Sequence, residues 1–188
     1  MVLSNDIVEL FNAIKNNNIV KIKSIIENSN KSKKILHLNE KNENGYYPLL
    51  EAISNNNTEI IKLLIDYANQ HQIVLNLNEK SNDGYYPLLW AILKNNIEIV
   101  KLLMEYASQH QIIMNLNEKN KYGYYPLRMA ISFNNIKIVK LLVEYALQHQ
   151  IILLYSKYDI GNNSKILELL QNYKKGKEKW KEVIKINK

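Results

Sequence analysis

The residues Gly-Tyr-Tyr-Pro-Leu occur three times in this chain, at positions 45–49, 84–88 and 123–127. The spacing is 39 residues each time, and the similarity extends well beyond the five residues. Each of the two later 39-residue blocks matches the block before it at 26 of 39 positions. Identity at this level and at one fixed period indicates an array of structural repeats.

Each motif follows a polar turn and begins a short helix. Residues 42–45, 81–84 and 120–123 place Asn or Ser first and Gly fourth, as type I β-turns prefer. The Pro that comes next suits the first position of a helix, where its missing N–H is not needed. In the first block we predict a helix over roughly 48–55. It should end at Asn56, which tolerates left-handed backbone, while the next Asn caps the following helix.

The second helix of each block is amphipathic. Ile60, Leu63, Leu64, Tyr67 and Ala68 have helical spacing and predict a buried stripe. On the opposite side, Lys and acidic residues four apart predict solvent-exposed pairs within each helix: Lys23/Glu27, Lys62/Asp66, Lys101/Glu105 and Lys140/Glu144. Beyond this helix, residues 69–72 could add a further turn, whereas 73–77 alternate like extended chain.

These residues resemble the ankyrin repeat family, whose pattern runs from a turn Gly through a Pro-Leu pair and an Ala to a break and a Leu-Leu helix. The matching positions of the middle block are Gly84, Pro87, Leu88, Ala91, Asn95, Asn96, residues 98–103 and Ala107. The resemblance covers about residues 3–155 and implies an all-α solenoid of stacked helix-turn-helix repeats joined by β-turn loops. Two features depart from the family: Tyr-Pro-Leu-Leu or Tyr-Pro-Leu-Arg replaces Thr-Pro-Leu-His, and the period exceeds the usual length of about 33 residues.

We expect a single repeat domain over residues 1–173, followed by a Lys-rich tail at 174–188. The domain is predicted to contain an N-terminal cap repeat at 3–38, full repeats at 39–77, 78–116 and 117–155, and a truncated unit at 156–173. The tail carries seven Lys and two Glu. It could form a short amphipathic helix, but we favour a frayed, solvated tail.

Composition excludes several classes of protein. The chain of 188 residues has no Cys, so disulfides, thiolate metal sites and Cys nucleophiles are absent, and no apolar run is long enough to span a membrane. The first residues lack the features of a secretion signal, which favours an intracellular location, cytoplasmic or nuclear. The net charge is +7, but the chain has a single Arg, Arg128, which argues against a nucleic-acid reader.

Candidate binding residues are those that differ between otherwise similar repeats, because partner recognition varies on a constant scaffold. The resemblance implies contacts at the turn tips and on the concave face. The candidates are Glu43, Asn44, Asn82, Asp83, Trp90, Leu93, Lys94, Lys121, Tyr122 and Phe133. Trp90, Tyr122 and Phe133 are the expected anchors.

Two repeated features allow a functional and a structural interpretation. His71, His110 and His149 could suggest a metal site, but the spacing between stacked helices favours hydrogen bonds between repeats. The Tyr-Tyr pairs could stack nucleic-acid bases, but they do not vary, which favours packing between repeats.

The sequence therefore predicts a non-enzymatic module that binds a protein or peptide, with no cofactor and no metal, and we expect a monomer. No phosphate loop, nucleophile elbow or acid–base pair suggests an enzyme. The alternative is electrostatic binding of nucleic acid or an anionic membrane surface through the basic ends of the chain.

Overall fold

The repeated pattern produces pairs of helices. The structure, a computed structural model, describes residues 4–160 and 163–186, and at residues 157, 158 and 177–186 it describes the backbone alone. The chain separates into two compact units, Met1–Met114 (unit 1) and Asn115–Lys188 (unit 2). Unit 1 contains α1 Asn5–Lys15, α2 Ile19–Ser32, α3 Pro48–Ser54, α4 Thr58–Gln70, α5 Pro87–Leu93 and α6 Ile97–Gln109. Unit 2 contains α7 Pro126–Ser132, α8 Ile136–Gln148, α9 Lys157–Ile160 and α10 Ser164–Ile186.

The expected all-α fold class is confirmed, since the described part of the chain contains helices and turns but no strand. In unit 1 the first helices of successive repeats, α1, α3 and α5, pack side by side. The second helices, α2, α4 and α6, form the layer behind them. The predicted limits of the domain and its repeats stay a prediction.

The predicted turns and helix boundaries are confirmed. The N–H of Gly45 donates to the carbonyl of Asn42 at 2.9 Å, which closes the turn before α3. Asn56 has a left-handed backbone with φ 57°, and the side chain of Asn57 accepts a hydrogen bond from the N–H of Ile60. The equivalent residues of the other repeats do the same, because the same local chemistry recurs.

The buried stripe of α4 differs from the prediction at one position. Ile60, Leu64, Tyr67 and Ala68 are buried as expected, but Ile61 is buried where Leu63 was expected, and Leu63 is half-exposed. A helix packed between two neighbours and its own partner helix buries a wider arc than a single stripe.

The long period is explained by the segment after α4. The helix ends at Gln70, Gln72 turns the chain with a left-handed φ of 56°, and residues 73–80 continue without helix. Leu75 and Leu77 are buried there. The extra residues therefore form a connecting segment, which alternates as predicted.

In unit 1, two connecting segments are each held by a Tyr from the second helix of the next repeat. The hydroxyl of Tyr106 in α6 accepts a hydrogen bond from the N–H of Leu75 at 3.0 Å and donates to the carbonyl of Ile73 at 3.2 Å. Tyr67 accepts from Leu36 in the same way at 3.0 Å. These tyrosines satisfy backbone groups that would otherwise be buried without partners.

Polar contacts between repeats differ in part from the sequence prediction. His71 is hydrogen-bonded to Asn30 at 2.7 Å and His110 to Asn69 at 2.9 Å, so the predicted contacts between repeats are confirmed for these two residues. The predicted pairs within α2 and α4 are wrong. Lys23 instead bonds Glu59 at 3.2 Å and Lys62 bonds Glu98 at 2.9 Å, because these Glu residues begin the adjacent helix of the next repeat.

The tail also differs from the prediction. Its backbone is helical as far as Ile186 and continues α10, which packs against α8. The frayed tail is therefore a wrong prediction. Trp180, Val183 and Ile184, which suggested an amphipathic helix, are among the residues of which the structure describes the backbone alone.

In unit 2 a polar cluster joins α7 to α9. Asp159 accepts a hydrogen bond from the hydroxyl of Tyr125 at 3.2 Å and forms an ion pair with Arg128 at 3.3 Å. Tyr125 is buried. Burial first, and then the negative charge of Asp159, raise the pKa of Tyr125 to about 12.

This shift predicts loss of stability at high pH. The ordinary pKa of Tyr is about 10, so the neutral phenol favours the folded state fully below pH 10, and the contribution is lost as the pH rises through about 12. We expect Tyr125→Phe to show a shallower fall in the free energy of unfolding between these values than the wild type. Urea unfolding at a series of pH values measures this. Parallel curves for the two proteins would contradict it.

Candidate functional site

A groove lies between the turn tips and the first helices of unit 1. Its volume is about 770 Å³. The lining residues come from α1, from two turns, and from α3 and α5: Val8, Phe11, Asn12, Lys15, Asn42, Glu43, Asn44, Tyr46, Glu51, Ser54, Asn82, Asp83 and Trp90. Five of the ten predicted binding residues line it, namely Glu43, Asn44, Asn82, Asp83 and Trp90.

The two turn tips beside the groove are tied to each other. The side chain of Asn42 accepts hydrogen bonds from the N–H groups of Asn44 and Tyr46, each at 3.0 Å, which fixes the first turn. Asn82 of the second turn donates its N–H to the carbonyl of Asn44 at 3.0 Å and its side-chain amide to the carbonyl of Glu43 at 2.8 Å. The tips therefore present their side chains from a fixed backbone.

This contact requires Gly45. Its φ is +76°, and a Cβ there would lie 2.7 Å from Oδ1 and 2.8 Å from the backbone nitrogen of Asn82. Only a residue without a side chain lets the second turn approach so closely.

Trp90 is the centre of an aromatic cluster. Its ring stacks on Tyr85 with 4.6 Å between centroids and lies 6.3 Å from the ring of Tyr46. The ammonium of Lys94 lies 5.2 Å from the centroid of Trp90, a cation–π contact. Trp90 is thus a large side chain held in one position, as an anchor residue should be.

Three carboxylates line the same groove as this cluster. They belong to Glu43, Glu51 and Asp83, and Lys15 is the cation in the lining. Glu51 is half-buried, and its burial raises the pKa of its carboxyl, although the charge of Lys15 acts in the opposite direction. Burial likewise raises the pKa of Tyr46, and the charges of Glu51 and Asp83 add to that shift.

The comparison with known families agrees with this architecture. A family model described as ankyrin repeats in three copies matches residues 10–114 and 69–152. The chain belongs to the ankyrin repeat family. The search among curated proteins finds no match. Ankyrin repeats generally serve as protein–protein interaction modules and are typically non-enzymatic.

The other predicted residues of these ankyrin repeats lie outside the groove lining. Lys94 contacts Trp90 from the end of α5, and Leu93 beside it is half-buried. Lys121, Tyr122 and Phe133 belong to unit 2, where all three are exposed. Tyr122 is the most exposed large apolar residue of that turn, at 64%.

The sequence prediction missed several groove residues. The position of Tyr46 is Tyr in all three ankyrin repeats, so a search for residues that differ between repeats could not select it. The two residues of the Tyr pair have different environments: Tyr47 is buried as predicted, whereas Tyr46 lines the groove. Glu51 occupies the same position of its repeat as Trp90 does in the next, and the residue there varies between repeats. The family usually makes this position apolar, so Glu51 was not selected. The residues of α1 belong to the first segment, which fits the repeat frame but lacks the Gly and Pro of the motif.

Neither a metal-binding cluster nor a membrane span occurs in the described part of this ankyrin repeat chain. Among the side chains that the structure describes, no three His, Asp or Glu residues are grouped as a metal ion would require. Over residues 4–160 and 163–186, no helix is both long and apolar enough to cross a membrane.

Proposed function

We propose that the chain is a non-enzymatic adaptor that binds an extended segment of a partner protein in the groove of unit 1. The observation that carries this proposal is the position of Trp90. It lies in the groove beside turn tips that are fixed in backbone but differ in sequence between repeats. A rigid aromatic anchor surrounded by variable polar residues is the arrangement found at the centre of many protein interfaces.

Unit 2 offers a further contact surface. Tyr122 and Phe133 are exposed on its turn and at the end of α7, at 64% and 43%, and Lys121 is beside Tyr122. Exposed aromatic side chains of this size are enriched at protein interfaces. We propose that they form a separate contact surface of unit 2 for a protein partner.

The test is selection of binding peptides from a random library on the full-length protein. The dissociation constant of the selected peptides is then measured for the wild type, Trp90→Ala and Lys101→Ala. We expect Trp90→Ala to weaken binding at least about tenfold. Lys101→Ala is the control because Lys101 is an exposed residue of α6 and does not line the groove.

Two results would contradict the proposal. Selection that yields no binding peptide would argue against an adaptor, and peptides that bind Trp90→Ala as well as the wild type would argue against the groove. In the second case, loss of binding in Tyr122→Ala or Phe133→Ala would place the function in unit 2.

The charge of unit 2 supports one other candidate function. Unit 2 contains 14 Lys or Arg and six Asp or Glu residues, whereas unit 1 has 11 and 12. This favours electrostatic binding of nucleic acid or an anionic membrane surface as the alternative. It predicts a steep loss of affinity for labelled duplex DNA or anionic vesicles between low and physiological salt. Binding that is absent at low salt would rule it out.

A further inference from the structure

The groove of unit 1 has the opposite charge to the chain. The whole protein carries +7, yet the groove lining contains three carboxylates and one ammonium. An excess of carboxylates in a groove favours a cationic ligand there and disfavours phosphate or an acidic peptide.

The carboxylates of the groove have no partner to neutralise them. In the described part of unit 1, Glu43, Glu51 and Asp83 make no ion pair within 4.0 Å. Elsewhere in the unit, five carboxylates do so, at Asp6, Glu9, Glu59, Glu79 and Glu98. Lys15 lines the groove as well, but it forms no ion pair with Glu51 within 4.0 Å in the described part of unit 1.

Glu51 in particular is suited to an incoming cation. A half-buried carboxylate has lost part of its hydration, so a cation that pairs with it restores a favourable interaction. Asp83, on the second turn, lines the same groove, and the charges of both residues reach the phenol of Tyr46. Both carboxylates are therefore groove residues near Tyr46.

The aromatic residues supply the other half of such a site. Phe11, Tyr46 and Trp90 provide apolar surface for the aliphatic stem of a long side chain. Lys94 already lies against the ring of Trp90, which shows that this cluster accepts a Lys stem and its charge. Because Lys94 and Tyr85 contact the ring of Trp90, an incoming cation would be held chiefly by the carboxylates.

We infer that the groove receives a Lys or Arg side chain of the partner segment, bound by the carboxylates of Glu43, Glu51 and Asp83 beside the rings of Tyr46 and Trp90. The inference rests on the proposed adaptor function and specifies the chemistry of its ligand.

The test uses peptides selected from a random library on the full-length wild type. We expect one peptide position to be enriched in Lys or Arg. A synthetic peptide of the consensus should bind Glu51→Gln/Asp83→Asn about tenfold more weakly than the wild type. A second peptide, with Gln in place of the basic residue, should bind both proteins equally, since the charge pair is then already lost.

A matched variant controls for the change in total charge. Asp66→Asn/Glu105→Gln removes the same two charges from α4 and α6, outside the groove lining. It should bind the basic peptide like the wild type. Circular dichroism and thermal unfolding of each variant verify that it is folded.

The possible failures are distinguishable. The inference would be overturned if the selected peptides had no basic position, or if both double variants weakened binding equally. In either case, Trp90→Ala would still test the adaptor function. Enrichment of acidic peptides would overturn it as well. If no peptide is selected, both the inference and the proposed function fail.

Discussion

Replacement of Gly45 by Ala is expected to lower the free energy of unfolding by about 3 kcal/mol. Two costs combine. A residue with a Cβ at φ +76° is strained by about 1–2 kcal/mol. The Cβ would also lie 2.8 Å from the backbone nitrogen of Asn82, which cannot move without breaking its hydrogen bond to Asn44, and such overpacking costs about 1–3 kcal/mol.

Gly123→Ala is the matched control. Its φ of +78° is almost the same, but the nearest atom to its Cβ is Nη1 of Arg128 at 3.9 Å, an ordinary contact. Only the strain remains there, so we expect a loss of about 1 kcal/mol. Urea unfolding of both variants measures the difference. Equal losses would mean that the contact between the turn tips does not contribute to stability.

Replacement of Tyr106 by Ala is expected to cost about 4 kcal/mol, because a buried aromatic ring is removed and leaves a cavity. Tyr106→Phe keeps the ring but removes the hydroxyl from the N–H of Leu75 and the carbonyl of Ile73. These buried groups then lack a partner, and we expect a loss of about 2 kcal/mol.

The control for the hydroxyl is Tyr124→Phe. Tyr124 is 37% exposed, so its side chain is partly open to water. We expect a change within about 0.5 kcal/mol. Hydrogen exchange at the amide of Leu75 adds a local measurement, since Tyr106→Phe should accelerate it. An unchanged exchange rate would show that the hydroxyl does not hold the connecting segment.

Local chemistry made much of the fold predictable. The left-handed Asn56, the capping Asn57 and the Pro at the start of α3 each act within a few residues of the chain. Their signals are therefore present in any single repeat, and the 39-residue period repeats them. The number and type of helices in each block follow from these residues with no reference to distant contacts.

The rest depends on which repeats become neighbours. Lys62 has Asp66 one turn away in its own helix, but it bonds Glu98 because α6 packs beside α4. Likewise, the groove needs Phe11 from the N-terminal repeat and Trp90 from a later one. Variation between repeats identified Trp90, but it could not identify Tyr46, which is constant and yet faces a surface that differs in each repeat.

The hydrogen bonds of the Tyr hydroxyls make the two ends of the array different. Within unit 1, the segment at Leu36 is completed by Tyr67 and the segment at Leu75 by Tyr106, in both cases by a side chain that comes later in the chain. Removing repeats from the N-terminal side exposes a Tyr that has lost its loop. Removing them from the C-terminal side releases a loop that has lost its Tyr. Shortening this protein is therefore not symmetric, because the two ends lose different halves of the same contact.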